Sequence, residues 1–249
     1  MQLARPGGHH MAYHRQPASG FGKRMPGVVF LPGFKSDMSG SKVTALEEFC
    51  RSRGQAFLSF DYFGHGRSSG AFTDGSIGRW AADVVAALDA LSDGPQILVG
   101  SSMGGWLMLL AALQRPERVH ALIGIAAAPD FTEDLIWSSL SAADREKMTS
   151  EGQLAQPSDY ADEPYVITRL LIDEGRQHLL LRDNIAIDRP VRLLHGLADP
   201  DVPYAVSLRL ADRLASADVQ VRLIKDGDHR LARPQDLKLL FDQVAALSA

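Results

Sequence analysis

The most constraining stretch of the chain is Gln96-Ile97-Leu98-Val99-Gly100-Ser101-Ser102-Met103-Gly104-Gly105-Trp106. Ile97 to Val99 is a short apolar run of the kind a buried strand makes, and Met103 to Gln114 is an apolar helical pattern, so the chain must reverse between them. Gly-x-Ser-x-Gly in that strand-turn-helix setting places Ser102 on a bend where neighbouring Cβ atoms would collide, and glycine at 100 and 104 removes the crowding. The bend lifts the Ser102 hydroxyl to the carboxyl edge of a sheet. The helix that follows points free N–H groups and a positive dipole end at the spot where an oxyanion would form.

The rest of the chain repeats that alternation. Strand patterns at Gly27–Leu31, Ala56–Phe60, Ala121–Ala126, Pro190–Leu194 and Val219–Ile224 alternate with helical patterns at Lys42–Arg53, Ser76–Leu91, Tyr204–Leu214 and Gln235–Leu247. Strands separated by helices predict right-handed crossovers and an α/β fold with a mostly parallel central sheet flanked by helices. Between residues 130 and 188 the alternation stops. Ser141-Ala142-Ala143-Asp144 resembles a capping-box start, the stretch from Ser150 to Asp162 is polar and turn-rich, and Tyr165 to Asp173 has helical spacing. The expected organisation is one domain over 1–249 with a cap inserted at about 130–188. The first 22 residues carry Arg5 and Arg15 and no acidic group, but Pro6-Gly7-Gly8 breaks any amphipathic helix, which predicts a frayed leader, with Met11 as a possible natural start and a weak strand pattern at Met11–Ser19.

Composition narrows the function classes. With 249 residues and 45% hydrophobic content the chain can bury a sizeable core, and a net charge of −4 provides no basic field for nucleic acid. No run approaches a membrane span. The single cysteine, Cys50, excludes an intramolecular disulfide and reads as a buried, inert thiol, so a cytoplasmic protein is expected.

A serine hydroxyl needs a base, and the base needs a partner that fixes its tautomer. Of eight histidines, His229 follows the last strand and lies on a loop at the same sheet edge as Ser102, whereas His65 reads as a turn residue and His195 as a strand end. Asp199 is the preferred acid, in the chain order Ser…Asp…His that a nucleophile elbow requires; Asp201 competes with it, and Asp130 is an outside candidate. The backbone N–H groups of Met103 and of Phe34, after Pro32-Gly33, are the expected oxyanion donors. Trp106 and the insertion residues Leu135, Ile136 and Trp137 are candidates for lining an acyl site. No paired His/Cys spacing, Walker loop or dinucleotide loop occurs, so neither metal nor cofactor is expected.

Leu31-Pro32-Gly33-Phe34, Phe60-Asp61-Tyr62, the run from Gly94 to Met108, Arg192-Leu193-Leu194-His195-Gly196 and Asp228-His229-Arg230 together resemble the α/β-hydrolase superfamily. Within it they are similar to the abhydrolase family of palmitoyl-protein thioesterases and acyl-glucuronide esterases. The resemblance implies a serine hydrolase of esters or thioesters working through an acyl-enzyme, with Ser102, Asp199 and His229 as the triad, a cap over the acyl pocket, and a small-molecule or acyl-protein substrate. Alternatives are a short-chain carboxylesterase or lysophospholipase, a carbon–carbon bond hydrolase, and a ligand-binding module with an idle triad.

Overall fold

The computed structural model describes residues 1–156 and 164–249. Its chain begins with two antiparallel strands, β1 (Gln2–Arg5) and β2 (His9–Gln16), in place of the expected frayed leader; β2 overlaps the weak strand pattern at Met11–Ser19, and β1 has no counterpart among the sequence patterns. Pro6-Gly7-Gly8 makes the turn between them, with both glycines at φ 76°. Then follow β3 (Gly27–Leu31), α1 (Ser41–Ser52), β4 (Phe57–Phe60), α2 (Ile77–Leu91), β5 (Gln96–Ser101), α3 (Met103–Gln114) and β6 (Val119–Ile125), within a few residues of the expected spans.

After β6 come a π-helical turn (Thr132–Trp137), α4 (Ala142–Glu151), a strand pair of β7 (Gln153–Gln156) and β8 (Tyr165–Thr168), and α5 (Arg169–Gly175). None of these joins the main sheet. Helix α4 starts as its sequence predicts, with the Ser141 hydroxyl accepting from the Asp144 N–H at 3.1 Å. The helix expected from Tyr165 begins only at Arg169, because the β-branched run Val166-Ile167-Thr168 pairs with β7 instead. Part of the polar stretch expected from Ser150 to Asp162 falls on residues 157–163, outside the described residues. The alternation resumes with β9 (Val191–Gly196), α6 (Ala205–Arg213), β10 (Val219–Ile224) and α7 (Pro234–Leu247).

The eight strands of the main sheet lie in the order β1-β2-β4-β3-β5-β6-β9-β10. From β4 to β10 every pairing is parallel, and only β2 runs against the rest, antiparallel to both β1 and β4. Alternation along the strands divides the core. Ile97 and Val99 join Val28, Phe30, Leu46, Leu240 and Val244 on the α1/α7 face, while Leu98 joins Val29, Leu31, Trp80 and Leu107 on the α2/α3 face. Each such side chain, fully buried, contributes roughly 1.5–3 kcal/mol relative to exposure.

This topology decides where a site can be. The connection from β3 leads to β4 on one side and that from β5 leads to β6 on the other, so a crevice opens between the carboxyl ends of β3 and β5. The loops that leave those two ends begin at Pro32 and Ser102.

Candidate active site

Ser102 stands between β5 and α3 with φ 54° and ψ −120°, a conformation rarely open to a residue with a β-carbon. The surroundings hold it there. Its N–H donates to the Ile125 carbonyl at 2.9 Å, and its own carbonyl accepts from Gly105 at 2.8 Å and Ala128 at 3.1 Å. A Cβ at Gly104 would stand 2.1 Å from the Leu31 carbonyl oxygen, so the start of α3 can close on the end of β3 only with glycine there. That approach brings Met103, at the first turn of α3, beside the loop carrying Phe34, and both line one cavity of about 720 Å³ with Ser102 and His229. The first N–H groups of a helix have no acceptor within it, so the Met103 amide is a donor in need of a partner.

The His229 ring reaches Asp199 through Nδ1, 2.8 Å from Oδ2. The carboxylate is fully buried and each of its oxygens is engaged: Oδ1 accepts the N–H groups of Asp201 and Val202, both at 2.9 Å, and Oδ2 also lies 3.3 Å from His195 Nε2. Burial alone would raise the Asp199 pKa. Hydrogen bonds from His195, His229 and the Val202 amide outweigh it and hold the group well below the usual carboxylate range. Asp199 is therefore an anion at neutral pH, able to fix His229 with its proton on Nδ1 and to stabilise the ring once charged. The exposed Asp201 supplies its backbone N–H to Asp199.

The third carboxylate weighed from the sequence has another task. Asp130 is buried and accepts from the amides of Leu180 at 2.8 Å and Leu181 at 2.9 Å and from Arg182 at 3.1 Å, joining the two ends of the 130–188 segment.

His195 was a strand end in the sequence; in the fold it is a buried support. Its Nδ1 accepts from the Ser207 hydroxyl at 2.7 Å and its Nε2 donates to the Val202 carbonyl at 2.8 Å, which keeps a proton directed toward Asp199. The sequence signal was its place at the end of the strand that leads into the turn carrying Asp199.

Of the residues expected to line an acyl site, Leu135 and Ile136 face the cavity, together with Phe131, Tyr165 and Ile167. Trp106 and Trp137 do not. Trp106 is fully buried, donates its indole N–H to the His178 carbonyl at 3.1 Å and packs against the cavity-lining Phe131, 5.8 Å away ring to ring. Trp137 lies against the guanidinium groups of Arg176 and Arg145, 4.7 and 5.5 Å from its ring.

Lys35, Asp37, Lys42 and Arg230 also line the cavity, with the Lys35 ammonium 5.3 Å from the centre of the Tyr165 ring. Burial pulls the Lys42 pKa down to about 8, although Asp228 opposes the shift, and its ammonium donates to the Arg230 carbonyl. Among the described residues, one trio has the spacing of metal ligands, Asp199, Asp201 and His229. The Asp199 oxygens in it already hold their protein partners.

No described helix is long and apolar enough to cross a membrane. The family described as alpha/beta hydrolase fold matches residues 26–146. The mitochondrial palmitoyl-protein thioesterase ABHD10 of Rattus norvegicus is 46% identical over 96% of this chain and 79% of its own length. The mouse structure of alpha/beta hydrolase domain-containing protein 10 superposes with a TM-score of 0.90 at 43% identity, over 99% of this chain and 97% of that one. A crystal structure from Agrobacterium vitis S4 gives 0.94 at 36% identity, over 100% and 97%. With an elbow serine at the sheet's switch point and relatives of this likeness along almost its whole length, the chain belongs to the α/β-hydrolase fold family.

Proposed function

We propose that the protein is a serine hydrolase that cleaves long-chain acyl thioesters by way of an acyl-enzyme on Ser102. The carrying observation is that the Ser102 elbow and the His229 ring, held at 2.8 Å by the buried Asp199, line the same cavity. In this mechanism His229 takes the Ser102 proton as the hydroxyl attacks the thioester carbonyl, and the Phe34 and Met103 amides bind the oxyanion. The protonated ring gives its proton to the leaving thiol, then draws one from water, whose oxygen attacks the acyl carbonyl. The acid departs and Ser102 recovers its proton. Asp199 stabilises the imidazolium at each stage.

The substrate class rests on two supports. Relatives at 42–47% identity bear the name palmitoyl-protein thioesterase, and the cavity wall of Phe34, Phe131, Leu135, Ile136 and Ile167 suits an acyl chain. In this proposal the 130–188 segment is the cap, its π-helical turn lying over the acyl chain. Cytoplasmic residence remains in the proposal on the strength of the sequence, although those relatives are named mitochondrial.

The test is turnover of a series of acyl thioesters and nitrophenyl esters from short to long chain. Wild type is expected to prefer long acyl thioesters, and Ser102→Ala to lose at least roughly 10³-fold in kcat. A preference confined to short esters would contradict the substrate class, and activity of Ser102→Ala within about tenfold of wild type would contradict the mechanism.

A further inference from the structure

The geometry points to His65 as a positioning residue that holds the Phe34 amide in place for the oxyanion. The inference rests on the proposed role of that amide.

The loop between β3 and α1 carries Phe34 and needs an external hold. Lys35 sits at φ 54°, uncommon for any residue with a β-carbon. Its N–H donates to His65 Nε2 at 3.3 Å. That nitrogen can accept only if the ring proton is on Nδ1, and Nδ1 lies 3.1 Å from the Phe63 carbonyl, which can only accept. The two contacts together select one tautomer. Phe63 is fixed in turn, because its carbonyl also accepts the Trp80 indole N–H at 3.0 Å.

Packing joins the same two partners. The His65 ring lies edge-on to Phe72 and Trp80, each at 5.1 Å, and these two rings meet the Phe34 ring at 4.9 and 6.0 Å. Phe34 is thus held through its side chain and through the backbone of the next residue. A second tether lies one turn along. Asp61 accepts the Met38 N–H through Oδ1 and the Arg67 N–H through Oδ2, both at 2.8 Å, so the loop and the turn that carries His65 share one carboxylate. With His65 only 4% exposed, burial pulls its pKa down to about 4, which leaves the Nε2 lone pair free to accept at neutral pH.

An oxyanion donor contributes only when it sits about 2.7–3.1 Å from where the negative oxygen will be. A tie that fixes this distance acts on the transition state and leaves ground-state binding alone. A histidine that merely fills an aromatic pocket would lower stability without this selectivity.

The test compares His65→Gln, which retains an acceptor on a similar reach, with His65→Leu, which has none. Rates are taken per folded molecule on a long-chain acyl thioester. His65→Leu is expected to lose roughly 10- to 100-fold in kcat with KM within about twofold, less than the ~10²–10³-fold cost of deleting an oxyanion donor outright. Affinity for an acyl trifluoromethyl ketone, whose adduct carries the oxyanion, should fall in the same proportion, while affinity for the product acid holds. His65→Gln should recover most of the loss.

Retained kcat in folded His65→Leu, or equal weakening of ketone and acid, would overturn the inference. Wild type supplies a reading independent of variant folding: ring 15N shifts should report His65 protonated on Nδ1, and an Nε2–H tautomer would overturn the assignment. Ser102→Ala assayed alongside separates the two levels. If it is inactive while His65→Leu is unimpaired, only the positioning role fails; if it is active, the underlying mechanism fails.

Discussion

At Ser102 the backbone torsions cost about 1–3 kcal/mol, offset by three backbone hydrogen bonds and by the glycines that let α3 close on β3. The neighbouring carboxylates show how far contacts separate residues that look equivalent in sequence. Asp199 and Asp201 are two positions apart, yet one is buried against two imidazoles and the other is exposed. Asp199→Asn should therefore lower kcat by about 10⁴-fold, as loss of the carboxylate that fixes a triad histidine does, whereas Asp201→Asn should cost less than about tenfold. Steady-state kinetics of the two variants would check the assignment, and the reverse order would transfer the role to Asp201. That Ser102, Asp199 and His229 each follow a strand's carboxyl end was legible in the alternation of apolar runs and loops. The roles of His195 and His65 were not, because most of their contacts are with backbone groups or with residues that only the fold brings near. Trp106 sits one turn after the nucleophile, but the direction of its indole is set by Phe131 and the His178 carbonyl.

Among the elements, parallel strands buried on both faces are near-continuous apolar runs, and those were the easiest to read. The N-terminal pair was the hardest. Strands β1 and β2 are half-exposed and rich in His, Arg and Gln, so their pairing leaves little apolar signature. They are tied to the body by Arg5, whose guanidinium meets the buried Asp83 carboxylate at 3.1 Å and the Ala82 carbonyl at 3.1 Å. Asp83 also accepts the Phe63 amide at 2.8 Å, which links this hairpin to the carbonyl that orients His65. Arg5→Ala removes the cation hydrogen-bonded to this buried carboxylate, leaving it only the more distant Arg79 charge, at a cost of about 3–5 kcal/mol. Thermal unfolding should register a drop on the order of 10 °C. An unchanged Tm would mean that this ion pair does not hold the hairpin to the body.

Over the whole molecule, His65 and Asp199 are the buried groups whose titration lowers stability in acid. His65 titrates near 4 in the fold and near 6.5 when unfolded, so protonation favours the unfolded chain. Its contribution is complete above about pH 6.5 and is lost as pH falls toward 4, a change of about 3 kcal/mol. Asp199, with its pKa depressed, loses its share only below about pH 4. Asp61, Asp83 and Asp130 are raised by burial and act in the opposite sense, so the difference between His65→Gln and wild type isolates the imidazole. Tm measured from pH 7 to 4 should fall more steeply for wild type than for His65→Gln, and parallel curves would contradict this. The central claim is that one hydroxyl at the sheet's switch point is the nucleophile, and covalent trapping tests it most directly. Treatment with a fluorophosphonate followed by peptide mapping is expected to place a single adduct on Ser102, absent in Ser102→Ala and formed far more slowly in Asp199→Asn. An adduct on another residue, or none on the folded wild type, would contradict it.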